Sequence, residues 1–394
     1  MTIENIKSLS DKTIENKMDE LWNISKYIHA NPEMCFEEEK ACKAQCDFLR
    51  KEGFKVTEGL GTLPTAYCAE IGEGKPVVAI LSEYDALAIG HACGHNLIST
   101  SALGGAIGLK GAVNDKKVKG TIKIIGTPAE EGGGGKIILL DEGYFDGVDA
   151  VIMMHPTSFT SRLAGECLSS KRIEIEYIGK VAHAGSHPDN GINALSAANL
   201  YFVATGMLRQ HFKGDARLSG IIVDGGTQTG LVPEKSCIKG SLSCFKVSDL
   251  NRYEKMIRDA AEGCGKAMGC ETKIEIVDGY QGRVPNSILS DVCKKELGAI
   301  NEPLMEGMPF DYGGEDLGNV SRLIPICNPY ITIFPEYKIS NHTDQFRDLA
   351  ISDTGRRCIE VSSKAMARTA LELLDKPNII DDAKEELKKR LENE

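Results

Sequence analysis

The chain has 394 residues, enough for two or three domains, and its 42% hydrophobic and 26% charged residues exclude a disordered protein. Its 46 basic and 57 acidic residues give a formal net charge of −11, which argues against a nucleic-acid-binding protein. No apolar run reaches the ~18 residues that a transmembrane helix needs, and the first residues show no secretory signal pattern. We therefore expect a cytoplasmic protein that does not associate with membranes.

The thirteen cysteines show no pairing pattern. No two of them form CxxC, which excludes iron–sulfur ferredoxin, zinc-ribbon and thioredoxin motifs. Their number is odd and their spacing is irregular, so we predict reduced thiols, most of them buried as small hydrophobic side chains.

The first half of the chain predicts an α/β domain. A helical segment extends to about Gly53, and strands are predicted at 76–87, 120–128 and 149–156, with a helix of small residues at 97–113. This alternation indicates a mostly parallel central sheet with helices on both faces. Polar residues follow each strand, and ligands bind at the carboxyl ends of strands in such sheets. We therefore expect three polar segments to meet at one edge.

The pattern changes at about Ser169, where apolar and polar residues begin to alternate with a period of two. The predicted order from there is strand, helix, strand, strand, helix, strand, which is the ferredoxin-like order. It closes near Gly282, after which the α/β pattern resumes. We therefore predict a discontinuous catalytic domain at 1–168 and 283–394, and an inserted lid and dimerisation domain at 169–282. The charged C-terminal tail predicts a solvated helix.

Three segments carry candidate chemistry. HACGHN contains Cys93 and His95, which would point the same way in an extended chain and suit a borderline-soft cation. Glu130 and Glu131 are adjacent carboxylates, which repel each other unless a cation or a proton separates them. His155 ends the apolar run DAVIMMHP. Taken singly, these residues could be a buried thiol, the start of a solvated helix and a core histidine.

Taken together, Cys, His and Glu side chains at successive strand ends form a set of metal ligands large enough for two ions. The four glycines at 132–135 suggest a phosphate-binding loop, but no GK[ST] follows them, which excludes a P-loop.

The motifs GHACGHN, TPAEEGGGG, MMHP and GKVAHAGSHPDNGINAL resemble peptidase family M20, the metallohydrolases that include aminoacylases and hippurate hydrolase. The Cys-Gly-His form resembles the amidohydrolase branch with the auxin–amino-acid hydrolases. SEYDAL, GGEDLGNVSRLIP and NHTDQF are most similar to a sub-branch containing the p-aminobenzoyl-glutamate hydrolase subunit and β-alanyl-lysine-type dipeptidases. The resemblance runs from about Ile28 to about Ala370.

The resemblance implies the role of each candidate residue. Glu130 is the general acid/base, Asp85 orients a ligand, and His183 stabilises the oxyanion. It also implies two divalent ions with a bridging water. Zinc or manganese is the expected metal, and cobalt or nickel is also compatible. A homodimer through the inserted domain is implied as well. Five residues are the implied metal ligands: Cys93, which bridges the ions, His95, Glu131, His155 and His342.

The chain departs from the family pattern in the inserted domain. Gly230 stands where relatives commonly carry a substrate-binding Asn, and Ser243 or Cys244 stands where they often carry Arg. We assign Gly230 and Gly314 as candidate substrate contacts. A glycine at 314 lets the backbone approach a ligand. An ordinary loop before a helix explains Gly314 equally well.

The predicted function is hydrolysis of the amide bond of an N-acyl amino acid or small dipeptide. One alternative is a dinuclear hydrolase of another small amide or carbamoyl bond. The other is a non-catalytic binding protein on the same fold, against which the complete ligand set argues.

Overall fold

The structure is a computed structural model that describes residues 2–115 and 118–393. Met1 and Glu394, the outer limits of the predicted catalytic domain, lie outside the described residues. The chain forms two compact units. The larger unit contains the residues up to Glu166 together with Arg283–Asp311 and Glu315–Asn393, and the smaller unit contains Cys167–Gly282 and Tyr312–Gly314. The catalytic and dimerisation roles of the predicted domains stay predictions.

Helices and strands alternate along most of the chain. The first part of the larger unit contains α1 (Ile3–Ala30), α2 (Glu39–Lys51), β1 (Lys55–Leu60), β2 (Leu63–Glu73), β3 (Val77–Ser82), α3 (His95–Asn114), β4 (Gly120–Gly126), α4 (Gly135–Asp141), β5 (Ala150–Ile152), β6 (His155–Thr157) and β7 (Arg162–Leu163). The smaller unit contains β8 (Ser169–Ile178), α5 (Ala194–Leu208), β9 (Arg217–Asp224), β10 (Lys235–Cys244), α6 (Val247–Met268) and β11 (Glu271–Asp278). The larger unit resumes with α7 (Ser287–Ala299), α8 (Leu317–Ser321), β12 (Ile326–Cys327), β13 (Pro329–Thr332), α9 (Asp344–Leu349), α10 (Asp353–Asp375) and α11 (Asn378–Glu392).

The central sheet of the larger unit has six strands in the order β1-β2-β4-β3-β5-β12. The β4-β3, β3-β5 and β5-β12 pairs are parallel, whereas β1 and β2 form an antiparallel edge. Successive residues of a strand point to opposite faces, and every residue from Val78 to Ser82 in β3 is buried, so both faces of the sheet are covered. The predicted α/β class with a mostly parallel sheet is confirmed.

The small residues of α3 allow close helix packing. A Cβ atom added at Gly104 would lie 2.1 Å from the Ser363 Oγ of α10, and one added at Gly108 would lie 2.6 Å from the Ser10 Oγ of α1. Larger residues would push these helices apart, because a packed interior has few voids. The predicted helix at 97–113 is confirmed, and its first turn lies beside the candidate site.

The third predicted strand is wrong in its extent. β5 ends at Ile152, where it pairs with Cys327 of β12, and His155 opens β6 in a separate three-stranded sheet of order β6-β13-β7. The predicted strand YITIF likewise contributes β13 to this small sheet. The sequence hides the break because every residue from 150 to 154 is apolar and buried.

The smaller unit has the connectivity predicted for a ferredoxin-like fold. Its sheet order is β11-β8-β10-β9 and all its strand pairs are antiparallel. β8 alternates buried and more exposed residues, as a strand with one wet face does. The two helices pack on this sheet around a separate core that includes Tyr177, Ile257 and Leu242.

Two terminal predictions need correction. The N-terminal helical segment is interrupted between Ala30 and Glu39. The C-terminal helix is not simply solvated, because Ile380, Ala383 and Leu387 are buried on one of its faces. Among the described residues no helix combines the length and the apolar character needed to cross a membrane.

Candidate metal centre and active site

Cys93 lies in the turn before α3 and His95 is the first residue of that helix. Neither lies in an extended strand, so the predicted reason for their pairing is wrong. Gly94 separates them with φ +81°, and a Cβ atom there would lie 2.6 Å from the Cγ of Pro156. A glycine is needed because this left-handed conformation disfavours side chains. The tight turn brings the Cys93 Sγ to 3.5 Å from the Nε2 of His155.

Asp85 orients the ring of His95. The Nδ1 of His95 lies 2.8 Å from the Asp85 carbonyl oxygen and 3.1 Å from its Oδ1, so Nδ1 carries the proton and donates it. A neutral ring then leaves its Nε2 without a proton and able to bind a metal, the arrangement typical of metal-binding histidines. It lies 3.8 Å from both Glu130 Oε2 and Glu131 Oε1.

The loop after β4 carries the two adjacent glutamates. Ala129, just before them, has φ +61°, and the backbone N–H of Glu131 donates to the Asp85 Oδ2 at 2.9 Å. The Glu131 Oε1 lies 3.3 Å from the Nε2 of His342. Asp85 therefore contacts both the ring of His95 and the backbone that positions Glu131.

His155 belongs to a row of side chains across the three-stranded sheet. Tyr330 is its partner in β13 and Arg162 is the partner of Tyr330 in β7. The rings of His155 and Tyr330 stack with centroids 5.0 Å apart, and the Arg162 guanidinium lies 3.9 Å from the centroid of Tyr330. The Nδ1 of His155 donates to the carbonyl oxygen of Pro156 at 2.7 Å, so its Nε2 is turned towards Cys93.

Three overlapping groups of side chains could each hold a metal ion. They are Cys93, His95 and His155; Cys93, Glu131 and His342; and His95, Glu130 and Glu131. Two buried atoms in these groups, the His95 Nε2 and the Glu131 Oε1, have no hydrogen-bond partner among the described residues. Buried polar atoms are normally paired, so a bound cation would supply the partner that these two atoms lack. The mixed sulfur, nitrogen and oxygen donors also suit divalent cations.

The charges of the ligands depend on one another. Burial disfavours a thiolate, but the positive charges of His155 and His95 outweigh it and lower the pKa of Cys93 to about 6. Contacts with Cys93 and Glu131 raise the pKa of His342 to about 10. Burial and the nearby carboxylates Glu83 and Asp316 hold the pKa of Glu130 well above its usual range. Glu130 therefore binds a proton more readily than an exposed glutamate does.

Sequence reasoning missed a buried charge cluster next to the ligands. The Lys136 Nζ lies 2.5 Å from Glu83 and 2.6 Å from Asp316, and all three side chains are almost completely buried. The other oxygen of Glu83 lies 3.6 Å from the His95 Nε2. The one signal in the sequence for this cluster is Lys136, a charged residue directly after the four glycines and in the first turn of α4.

The remaining predicted residues lie in the smaller unit. His183 is exposed, and its Nδ1 accepts the backbone N–H groups of Gly185 and Ser186 at 3.2 and 3.0 Å. His183 forms a bridge with Leu231, next to the exposed Gly230, where an added Cβ atom would meet no atom within 4 Å. Gly314 is also exposed and groups with the smaller unit. The structure thus places His183 near Gly230, and brings the five predicted metal ligands, Glu130 and Asp85 together in the larger unit.

Clustered thiol, imidazole and carboxylate side chains that could hold metal ions, beside a glutamate of raised proton affinity, are the groups that a metal-dependent hydrolase uses. Peptidase family M20/M25/M40 matches residues 84–368, and the chain belongs to this family. It is 33% identical to the Xaa-Arg dipeptidase of Mus musculus over 100% of this chain and 94% of the relative. It is 30% identical to a subunit of the p-aminobenzoyl-glutamate hydrolase of Escherichia coli over 76% of this chain and 66% of the relative.

The solved structures agree on the fold. A dinuclear metal-binding peptidase of the M20 family from Bacillus subtilis superimposes with a TM-score of 0.73 at 23% identity, covering 92% of this chain and 99% of that one. The resemblance to the family is confirmed. The protein is a metal-dependent hydrolase of peptide or amide bonds.

Proposed function

We propose that this protein is a dipeptidase that uses two divalent ions, and that a dipeptide with a basic C-terminal residue is the first substrate to test. The observation that carries the proposal is the set of three overlapping groups that could hold an ion, one of which includes Glu130. The basic residue is suggested by the mouse Xaa-Arg dipeptidase, which matches the whole chain. A second candidate, an N-acyl or p-aminobenzoyl amino acid, is favoured by the similarity to the Escherichia coli hydrolase.

In this proposal five side chains hold the ions: Cys93, His95, Glu131, His155 and His342. Cys93, His95 and Glu131 each belong to two of the groups that could hold an ion, so the groups overlap closely enough for a pair of ions to share Cys93. Thiolate and imidazole donors suit zinc, and the carboxylates also accept manganese, cobalt or nickel. Such ions, when bound, acidify water and polarise the substrate carbonyl.

Glu130 is the proposed general acid and base. Its raised pKa suits a group that takes a proton from water and then delivers it to the leaving amine. Asp85 keeps the proton of His95 on Nδ1 and therefore keeps Nε2 available as a ligand. These steps require side chains of the larger unit alone.

His183 is the proposed oxyanion donor. Its Nδ1 accepts two backbone N–H groups, so the ring proton of the neutral form resides on Nε2. An exposed Nε2–H is suited to donate a hydrogen bond to the oxygen that becomes negative in the transition state. Gly230 and Gly314 remain proposed substrate contacts.

We also propose a homodimer through the smaller unit. β9 lies at one end of its sheet, and its outward residues Ile221 and Val223 are 64% and 47% exposed. Val203 and Met207, one turn apart on α5, are 53% and 68% exposed. An edge strand with exposed apolar residues favours pairing with a second copy of the chain. None of the thirteen cysteines, all of which lie in the described part of the chain, forms a disulfide there, which supports a cytoplasmic location.

The decisive experiment measures metal content and hydrolysis together. Purified protein is analysed for bound metals and assayed before and after chelation on dipeptides ending in Arg, Lys or Leu, on N-acetyl and p-aminobenzoyl amino acids, and on carbamoyl amino acids. We expect two ions per chain and activity that disappears on chelation and in Glu130→Gln. Full activity in Glu130→Gln would refute the role of Glu130, and a metal-free active protein would refute the site.

The dimer is tested separately by light scattering during size-exclusion chromatography. Ile221→Asp should yield monomers, whereas Val277→Asp, an exposed apolar residue at the opposite edge in β11, should remain dimeric. A monomeric wild type, or dissociation by Val277→Asp alone, would contradict the proposed interface.

A further inference from the structure

Three consecutive glutamates occur at the start of α2, and only the middle one is buried. Glu37 and Glu39 are exposed, whereas Glu38 is completely buried. A buried carboxylate is costly unless its oxygens are hydrogen-bonded, so the partners of Glu38 indicate why it is there.

The partners of Glu38 come from three separate segments. Its Oε1 accepts the backbone N–H of Phe36 and that of Ala129, each at 2.9 Å, and its Oε2 accepts the hydroxyl of Thr65 at 2.9 Å. The bond to Ala129 joins residues 91 positions apart in the chain. Burial raises the pKa of Glu38 to about 7, so both its charged and its neutral forms exist near neutral pH.

Ala129 is the residue directly before Glu130, and its backbone is strained. Its φ of +61° lies in the left-handed region, which residues with a side chain rarely adopt. Such a conformation persists only where the surroundings hold it. Glu38 accepts the N–H of Ala129. The carbonyl oxygen of Ala129 accepts the N–H groups of Gly133 and Gly134 at 3.0 and 2.8 Å.

A second carboxylate holds the other side of Glu130. The Asp85 Oδ2 accepts the N–H of Glu131 at 2.9 Å. The backbone of Glu130 therefore lies between two amides, each bound by a buried carboxylate from a different part of the chain. Asp85 also contacts the metal-ligand candidate His95, whereas the described contacts of Glu38 include none of the five ligand candidates.

We propose that Glu38 is a positioning residue that fixes the backbone, and hence the carboxylate, of Glu130. The inference rests on the proposed role of Glu130. Loss of Glu38 should lower the rate of proton transfer by Glu130, since a displacement of about 1 Å at a reacting group lowers a rate about 100-fold. A purely structural role, in which Glu38 joins α2 to β2, would change stability and leave kcat of the folded enzyme unchanged.

The test compares Glu38→Ala and Glu38→Gln with the exposed controls Glu37→Ala and Glu39→Ala. We expect Glu38→Ala to lower kcat about 10- to 100-fold with the metal content retained and KM changed less than about threefold. Glu38→Gln should stay within about threefold of wild type, because its amide oxygen accepts the same N–H groups and its NH₂ can donate to the Thr65 oxygen. Both controls should match wild type.

Two further measurements keep the test decisive. Amide hydrogen exchange should accelerate over residues 129–134 in Glu38→Ala, a readout independent of activity. Where Glu38→Ala does not fold, Thr65→Val removes the Oε2 contact without changing the shape, and should lower kcat about two- to tenfold.

Unchanged kcat in Glu38→Ala, or a loss in Glu38→Gln as large as in Glu38→Ala, would overturn the inference. Glu130→Gln distinguishes this failure from that of the proposed function. If Glu130→Gln is inactive and Glu38→Ala is fully active, Glu38 alone is misassigned. If Glu130→Gln is active, the proposed function itself is wrong.

Discussion

The two units of the molecule present their candidate residues in opposite ways. In the larger unit Cys93 and His95 are buried, and their ligand atoms are aimed by Asp85 and by the turn at Gly94. In the smaller unit His183 and Gly230 are exposed, and the Nδ1 of His183 accepts only nearby backbone N–H groups of its own loop among the described residues. Under the proposed function, the first arrangement would be preorganised for ions and proton transfer, and the second would leave surface for a substrate to order.

This difference predicts that the two units fail differently when mutated. Substitutions in the larger unit should remove metal or chemistry, because they take away a candidate ligand atom or the proposed acid/base carboxylate. Substitutions in the smaller unit should weaken transition-state binding and leave the metal in place. Four measurements test this contrast, in order of decreasing effect.

Cys93→Ala should have the largest effect. It removes a ligand atom common to two of the candidate metal groups, and losing several kcal/mol of electrostatic stabilisation lowers kcat/KM by about 1,000-fold or more. Bound metal per chain, measured by elemental analysis, should fall in parallel. Cys68→Ala, a half-buried thiol of β2, serves as the control and should keep both metal and activity. Full metal content in Cys93→Ala would contradict the ligand assignment.

His183→Ala should reduce kcat about 100-fold, the loss typical of removing one oxyanion donor. Metal content and thermal stability should stay as in wild type, because the His183 side chain is exposed and lies outside the ligand groups. The exposed His187 provides the matched control, His187→Ala, with activity expected near wild type. A loss of metal in His183→Ala would remove the distinction between the units.

Metal affinity should rise with pH, by about tenfold per pH unit for each proton displaced. In the metal-free protein, contacts with Cys93 and Glu131 raise the pKa of His342 to about 10. Burial lowers the pKa of His95, but the negative charges of Asp85 and Cys93 outweigh burial and hold that pKa well above its usual range. Each ring therefore holds a proton at neutral pH that an ion must displace. Cys93, with a pKa of about 6, is already mostly a thiolate at pH 7 and adds little to the dependence above that value. Competition with a chromophoric chelator between pH 7 and 9 measures the slope. A flat profile would contradict displacement of a proton from His342.

Sequence patterns predicted the fold, and they predicted that the candidate ligands come together, for an identifiable physical reason. Strand ends converge in parallel sheets, so Asp85, Glu130 and Glu131 could be placed at one edge from local patterns alone. The turn at Gly94 could not be predicted from local patterns, because the sequence does not show whether a glycine is left-handed or extended. His342 entered through the resemblance rather than through any local pattern.

The supporting residues depend on long-range contacts. Glu37, Glu38 and Glu39 are identical in sequence, and only tertiary packing makes the middle one a partner of Ala129. Lys136 contacts Asp316 across 180 residues of chain. A buried ion pair of this kind carries no periodic signal, because a lone charge in an apolar stretch is more often exposed. The structure is therefore most informative about the residues that aim the ligands.

Tyr330→Leu tests this support with the smallest effect. It removes the ring that stacks on His155 and that lies under the Arg162 guanidinium, so the His155 ring loses its orienting neighbour. Loss of such a partner lowers metal affinity about tenfold, at the lower end of the range for groups that orient metal ligands. Tyr330→Phe keeps the ring, and its affinity, measured by the same chelator competition, should stay within about threefold of wild type. If both variants lose affinity equally, the hydroxyl contacts to Arg283 and Glu315 matter more than the stacked ring. If neither does, the hydrogen bond from the His155 Nδ1 to the Pro156 carbonyl oxygen is sufficient to aim the His155 Nε2 at Cys93.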